Sequence, residues 1–309
     1  RPLNLCLNRK LKMLIADLAA FGAAIIWTVS STVSVGPARE VGAVPFNRIR
    51  MVVIFFMLSL VPTIYGGWQT IQPEDYWILA LSGLIGIFVG DTALFTGLSR
   101  LGPRRNSILF ATNAPISAIL GYFFLFEVMN FGSIIGCALV LAGVVMSIIF
   151  GKRRAQVHQW EDVHGSLVAG VGFGLLAGFC QAVGAIIAKP ALMAGADPIA
   201  VSAIRVGVAA LGLLLMMMLP GQGAKAKVKI TLRLFGRIAF SGFLGMGVGM
   251  SLLLFALARE NTGVVMTLSS TMPIMILPIL WFMTRERPAL GALIGAVFAV
   301  AGSGFIFLS

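Results

Sequence analysis

Asp91 is the one acidic residue deep inside an apolar run, Tyr76 to Leu98, of this 309-residue chain. An ionisable group in hydrocarbon is costly and tends to mark a substrate or proton path. As a functional group its carboxylate would bind a substrate amine or carry a coupling proton; as a structural one it would pair with Arg100 or a nearby hydroxyl. Thr112 and Asn113 stand just before Pro115, and Ser269, Ser270 and Thr271 just before Pro273. Proline inside a helix frees a carbonyl and permits a kink, so polar groups at two such breaks either face a cavity or bond their own helix carbonyls. Trp27, Thr28, Ser30 and Ser31 cluster in the first apolar run and Gln181 in the sixth. The same two readings apply to them, and Trp27 would either stack on a planar or apolar substrate or simply pack. Arg50 and Arg205 hold matching places near the starts of the second and seventh runs, where they read as helix anchors, a gate pair or carboxylate binders.

Enzyme chemistry lacks its residues. The two histidines, His158 and His164, lie in a central polar segment and are too few and too badly placed for a metal site. An intramembrane aspartyl protease would need a second deep aspartate to face Asp91. Gly-x-Ser-x-Gly and phosphate-loop patterns are absent, so neither an enzyme, nor a cofactor, nor ATP-driven transport by this chain alone is expected. Cys6, Cys137 and Cys180 form no paired framework and read as small apolar side chains.

The elements that must position these residues follow from composition. With 59% hydrophobic and 11% charged residues, against roughly a quarter charged in soluble domains, the chain cannot hide its apolar surface in one soluble core. Its polar punctuation leaves ten apolar runs of the roughly 20 residues that cross a bilayer. They are Leu14–Gly36, Phe46–Tyr65, Tyr76–Leu98, Ser107–Phe126, Met129–Phe150, Gly165–Ala188, Pro198–Leu219, Phe235–Ala258, Gly263–Met283 and Pro288–Leu308. The expected fold is an all-α integral membrane protein, since lipid leaves no partner for an unpaired backbone group and the pattern does not suit a barrel. No secretory signal peptide is expected, because Asp17 interrupts the apolar start and nine further runs follow.

Two halves of the chain repeat. At a constant offset of 159 (241 − 82 = 159), Ser82, Gly83, Gly86, Gly90, Leu94, Leu98 and Arg100 meet Ser241, Gly242, Gly245, Gly249, Leu253, Leu257 and Arg259. Glu127, Gly132, Gly136 and Gly143 then meet Glu286, Gly291, Gly295 and Gly302, while Met250 stands where Asp91 does. Five runs per copy is an odd number, so the second copy is inverted in the membrane relative to the first. The net charge of +12 is scattered between the runs, which argues against a nucleic-acid partner. Instead, basic residues crowd the loops after the odd-numbered runs, including Arg39, Arg100, Arg105, Lys152, Arg153, Arg154, Lys225, Lys227, Lys229, Arg285 and Arg287. By the positive-inside rule those loops are cytoplasmic and both termini outside. Glycines of the third and eighth runs, Gly90 and Gly249 among them, recur every three or four residues and give small faces that let helices approach and slide.

Two copies of a five-helix unit, each with a Gly-rich third helix, a proline in the fourth and Phe-Leu-Phe-Glu127 or Thr-Arg-Glu286 before a Gly-rich fifth, resemble the EamA domains of the drug/metabolite transporter superfamily. Trp27, Phe46-Asn47-Arg48-Ile49-Arg50, Arg205 and Lys189 at the end of the sixth run add to the resemblance, which covers nearly the whole chain and is similar in architecture to YddG-type amino-acid exporters. It implies two EamA-like repeats, residues 13–151 and 165–309, with a basic linker 152–164 between them; residues 1–12 are polar and do not begin with Met, so they need not be native and Met13 is a candidate start. It also implies a multi-pass protein of the bacterial inner membrane that exports small metabolites, with members often drawn with both termini inside. Inverted repeats supply two states of similar energy and a midplane site between them. The expected function is secondary active export by alternating access of an amino-acid-like or small amphipathic compound, with lipid and a small-molecule substrate as partners, protons as a candidate coupling ion, and a monomer sufficient. The alternatives are an exchanger of phosphorylated or nucleotide-linked sugars, which would want Lys or Arg in the cavity, and a membrane channel.

Overall fold

Apolar runs that have no water to satisfy their N–H and C=O groups close their hydrogen bonds internally, and every regular element among the described residues is helical. The computed structural model describes residues 2–149, 164–218, 225–272, 274–275 and 290–308. Its α-helices are α1 (Pro2–Val41), α2 (Ala43–Tyr65), α3 (Asp75–Gly83), α4 (Gly90–Phe110), α5 (Asn113–Leu125), α6 (Phe131–Ile149), α7 (Leu167–Met193), α8 (Pro198–Leu215), α9 (Leu232–Gly242), α10 (Met250–Leu257), α11 (Thr262–Ser269) and α12 (Leu290–Leu308). Seven segments among the described residues are long and apolar enough to cross a membrane: Met13–Val41, Ala43–Tyr65, Asp75–Pro103, Arg105–Leu125, Leu167–Met193, Pro198–Met218 and Leu232–Leu257. Phe131–Gly143 and Leu293–Gly302 are shorter apolar helices. Of the ten expected runs, the ninth is described as a helix over Thr262–Ser269; Pro273, Glu286 and the linker residues 152–163 lie outside the described residues.

The repeat is visible in the backbone. α3 passes into α4, and α9 into α10, through a π-helical stretch, Leu84–Val89 and Phe243–Gly249, 159 residues apart (243 − 84 = 159). A single-turn π stretch inside a helix is uncommon and concentrates at functional sites. The fourth helix of each copy is also interrupted at matching positions, by turns at Ala111–Thr112 and Ser270–Thr271. Gly102, with φ 79°, separates the third helix of the first copy from the fourth; its mate is Asn261, just before α11.

Packing follows the same exchange of halves. α1 lies against α9, the second π stretch, α10 and α11, while α7 lies against α3, the first π stretch, α4 and α5. α2 meets α8, α5 meets α11 and α6 meets α12. Close approach needs glycine where α7 meets the first π stretch: a Cβ on Gly184 would come 2.7 Å from the Cα of Gly86. Large apolar side chains such as Leu60, Ile64, Phe123, Phe124 and Val168 point away from the core, as lipid-facing surface does.

The two ends of the bundle differ in charge. At one, Arg39 Nε donates to the Ser99 carbonyl at 3.1 Å, Lys227 N–H to the Val41 carbonyl at 3.0 Å and His164 N–H to the Arg100 carbonyl at 2.9 Å. These contacts gather several basic segments into one basic face. The opposite, terminal face carries Met13, Glu127, Asp197 and Glu260, with Tyr65 Oη donating to Asp197 at 2.5 Å.

Candidate functional site

Arg50 of α2 reaches the interface between the copies by lying over glycines of the second. A Cβ on Gly242 would come 2.7 Å from its Cγ, and one on Gly245 3.0 Å from its Nη2. Arg205 of α8 does the same against the first copy, where a Cβ on Gly83 would come 2.6 Å from its carbonyl oxygen and one on Gly86 2.9 Å from its Nη2. Their exposures are 2% and 1%, so both guanidinium groups are desolvated. Arg50 Nη1 donates to Asp91 Oδ2 at 3.3 Å, and its guanidinium lies 4.5 Å from the Phe95 ring centre. Among the described residues, Arg205 Nη1 finds only the Met250 sulfur, at 3.6 Å. The ion-pair partner of Asp91 is therefore Arg50, not Arg100, whose guanidinium lies over Phe173.

A cavity of about 50 Å³ opens between the copies. Asp91, Arg50, Trp27, Ser31 and Gln181 line it together, as do Ser30 and, toward the basic face, Pro103, Asn106 and Ser107. At roughly 10–15 Å³ per water it has room for a few waters and not for a whole metabolite. Its apolar wall is Phe95, Phe110, Leu94 and three methionines, Met246, Met250 and Met272. Trp27 is fixed there, its Nε1 donating to the Gly245 carbonyl at 2.7 Å and its ring edge-on to Phe110 at 6.3 Å. Some polar atoms around this space have no partner among the described residues: Arg50 Nε, Gln181 Nε2 and Asn106 Oδ1 at its wall, and Arg205 Nε and Nη2 behind Met250.

The remaining hydroxyls turn inward on their own helices. Thr28 donates to the Ala24 carbonyl, Ser31 to that of Thr28, Thr112 to that of Leu109 and Thr271 to that of Leu268. Two hydroxyls reach across the copies instead: Ser30 Oγ donates to the Ser241 carbonyl at 2.8 Å, and Ser270 Oγ to Asn113 Oδ1 at 3.1 Å, joining the two fourth-helix breaks. Pro115 sits in the first turn of α5. Gly90 and Gly249 receive Cys180 and Trp27, matching contacts in the two copies.

Toward the terminal face a clamp closes the bundle. Lys189 pairs with Glu127, which also accepts from the Thr262 N–H at 2.7 Å and its Oγ1 at 2.9 Å, and Lys189 Nζ donates to the Glu260 carbonyl at 2.5 Å. Lys189 belongs to no loop: α7 continues through Pro190 to Met193, and the residue is 3% exposed. The run of hydropathy ends at this lysine, but Glu127 neutralises it and the helix goes on. A cavity of about 390 Å³ lies beside the clamp, bordered by Met13, Leu125, Glu127, Lys189 and Glu260. Asp17, which interrupts the apolar start of the first run, is 5% exposed, and its Oδ1 has no partner among the described residues. Its only sequence signal was that it lies within one turn of an otherwise apolar helix. Asn106 gave still less signal, because it follows Arg104-Arg105 and reads as a loop residue.

Among solved structures, 28 chains match the fold. One, the crystal structure of a protein 17% identical to this chain, superposes with a TM-score of 0.73 over 95% of this chain and 96% of its own. At that identity the likeness speaks for the fold alone. No curated protein matches in sequence. The model of the EamA-like transporter family matches twice, over residues 14–149 and 168–308. With that double match over two packed, repeated halves of apolar helices, the chain belongs to the EamA-like transporter family and is a multi-pass membrane protein.

Proposed function

We propose that this protein is a secondary active transporter that exports small metabolites, amino-acid-like or otherwise small and amphipathic, across the bacterial inner membrane by alternating access. The observation that carries the reading is the central cavity. It lies between two exchanged halves, holds a carboxylate and a guanidinium against an aromatic and methionine wall, and is too small for its cargo in this state. The clamp at Lys189 and Glu127 stands on the terminal side of it, so the site has access on at most one side at a time, as a carrier requires. The basic face is then cytoplasmic and both termini lie outside. Asp91 engages a substrate amine or a coupling proton, and the two repeats, residues 13–151 and 165–309, move about the glycine faces that Arg50 and Arg205 cover.

The test is efflux from proteoliposomes loaded with a mixture of amino acids and common metabolites under a pH gradient. Saturable, selective loss with counterflow is expected. A flux that never saturates would make the protein a channel, and no flux of any loaded compound would remove the reading. A phosphorylated sugar brings close to two negative charges, whereas the three charged side chains at the cavity, Arg50, Arg205 and Asp91, total one net positive charge (2 − 1 = 1). The sugar-phosphate exchanger is for that reason the second reading.

A further inference from the structure

We infer that the substrate carries a single anionic group, a carboxylate in chemical class, and that this protein recognises it through Gln181, Arg50 and Arg205. The inference rests on the transporter reading and names the chemistry of its site.

The buried charges do not balance. Arg50 and Arg205 are both at least nine-tenths buried, Asp91 is the only carboxylate beside them among the described residues, and its hydrogen bond goes to Arg50. An unpaired cation in a low-dielectric site is expensive, and the missing partner of matching size is one monoanion. The unsatisfied atoms point the same way. Arg50 Nε and Gln181 Nε2 are donors at the cavity wall with nothing to accept from them among the described residues, and Arg205 adds Nε and Nη2 one side chain behind it. Gln181 and Gly184 lie three residues apart on one face of α7, and Gly184 is one of the residues over which the Arg205 Nη2 lies. Gln181 and Arg205 therefore lie side by side along α7, and Arg50 lines the same cavity as Gln181. Met250 separates Arg205 from the cavity, and a flexible thioether is the kind of wall that yields. On the acceptor side, the described residues lining the cavity offer the unpartnered Asn106 Oδ1 and, beside it, the Asp91 carboxylate, which ask the substrate for an N–H or O–H. The rest of the wall, Trp27, Phe95, Phe110 and the methionines, takes an apolar body.

The pseudo-symmetry assigns the two arginines to two states. Arg50 lines the cavity in this state, toward the basic face, and Arg205 is hidden behind Met250. Exchange of the halves puts Arg205 in the wall and withdraws Arg50, so the anion always meets one guanidinium while Asp91 stays between them.

The experiment measures binding to the purified full chain, by calorimetry, of hexanoate and 3-phenylpropionate beside the alcohol and the amine of the same body. Each carboxylate is expected to bind at least about tenfold tighter than its alcohol and its amine, the loss expected for one charge-assisted hydrogen bond. Arg205→Gln is expected to erase most of that preference and Arg205→Lys to keep it. Should Arg205→Gln not fold, the wild-type selectivity series and Gln181→Leu decide the matter. Equal binding of carboxylate and alcohol, tighter binding of the amine, or no binding of either carboxylate overturns the inference. Flux separates it from the transporter reading: carboxylates that bind and are never moved sink the transporter and leave the site, while saturable flux of amines alone sinks the site and leaves the transporter.

Discussion

Arg50 and Arg205 occupy equivalent places in the two copies, lie over equivalent glycines and are almost equally buried, yet one faces a carboxylate and the other a thioether. The shared part is what the fold demands: an arginine stem filling the groove over a glycine face, with its head at the interface. The unshared part is what the fold tolerates losing, and so is where function has room to act. A buried cation kept without its ion pair is not a stability device, because removing one partner of such a pair costs about 3–5 kcal/mol.

The largest effect is expected from Asp91→Asn, which leaves both guanidinium groups unpaired. It should lower stability by about 3–5 kcal/mol, read by thermal unfolding, and abolish efflux. The comparison sharpens in the double variant Asp91→Met, Met250→Asp, which moves the ion pair to Arg205. If the two sites are structurally equivalent, the double variant regains at least half the stability lost in Asp91→Met alone. A swap no more stable than the single variant would show that the copies differ in more than one side chain.

A second contrast lies between the faces. The clamp of Lys189, Glu127 and Thr262 holds the terminal side, and the mates of Glu260, Asn261 and Thr262 on the basic side are Leu101, Gly102 and Pro103, which cannot form it. Under the proposed alternating access, this asymmetry would bias the pair of states toward closure at the terminal face. Lys189→Met leaves Glu127 its two bonds from Thr262, so the expected cost is smaller, about 1–3 kcal/mol. Alkylation of an introduced Ala20→Cys, one turn below Asp17 and fully buried in α1, should then quicken several-fold. Unchanged labelling would reduce the clamp to a helix staple.

Much of this was legible in the sequence because repeats and apolar run lengths are one-dimensional facts. The ordered matches of Gly83, Gly86, Gly90 and Arg100 with Gly242, Gly245, Gly249 and Arg259 announced two copies, and the structure gives both copies the same π stretch. The proline-marked breaks at 112 and 271 were legible for the same reason. Charge pairing was not. Asp91 lies 41 positions from Arg50 and Glu127 62 from Lys189 (189 − 127 = 62), and nothing local tells a lone carboxylate which cation it will meet. Burial of Lys189 and Asp17 was equally hidden, because a charge near the end of an apolar run reads as its boundary when its partner is out of view.

The smallest effect tests the contact between the two fourth-helix breaks. Asn113 spends its amide nitrogen on the Phe110 carbonyl at 2.7 Å and its oxygen on the Ser270 hydroxyl at 3.1 Å. The mate of Ser270 in the first copy is Ala111, so this bond crosses the interface once, with no twin. Ser270→Ala makes the two breaks alike and removes one buried hydrogen bond, for an expected loss of about 1 kcal/mol in thermal unfolding. Both breaks persist, since each is marked by its own proline and by hydroxyls that bond their own helices. If the breaks part during transport, the bond belongs only to the state seen here, and efflux by Ser270→Ala should be no slower than wild type. A slower variant of normal stability would instead mean that Ser270 and Asn113 hold the two copies in register while the cavity changes hands.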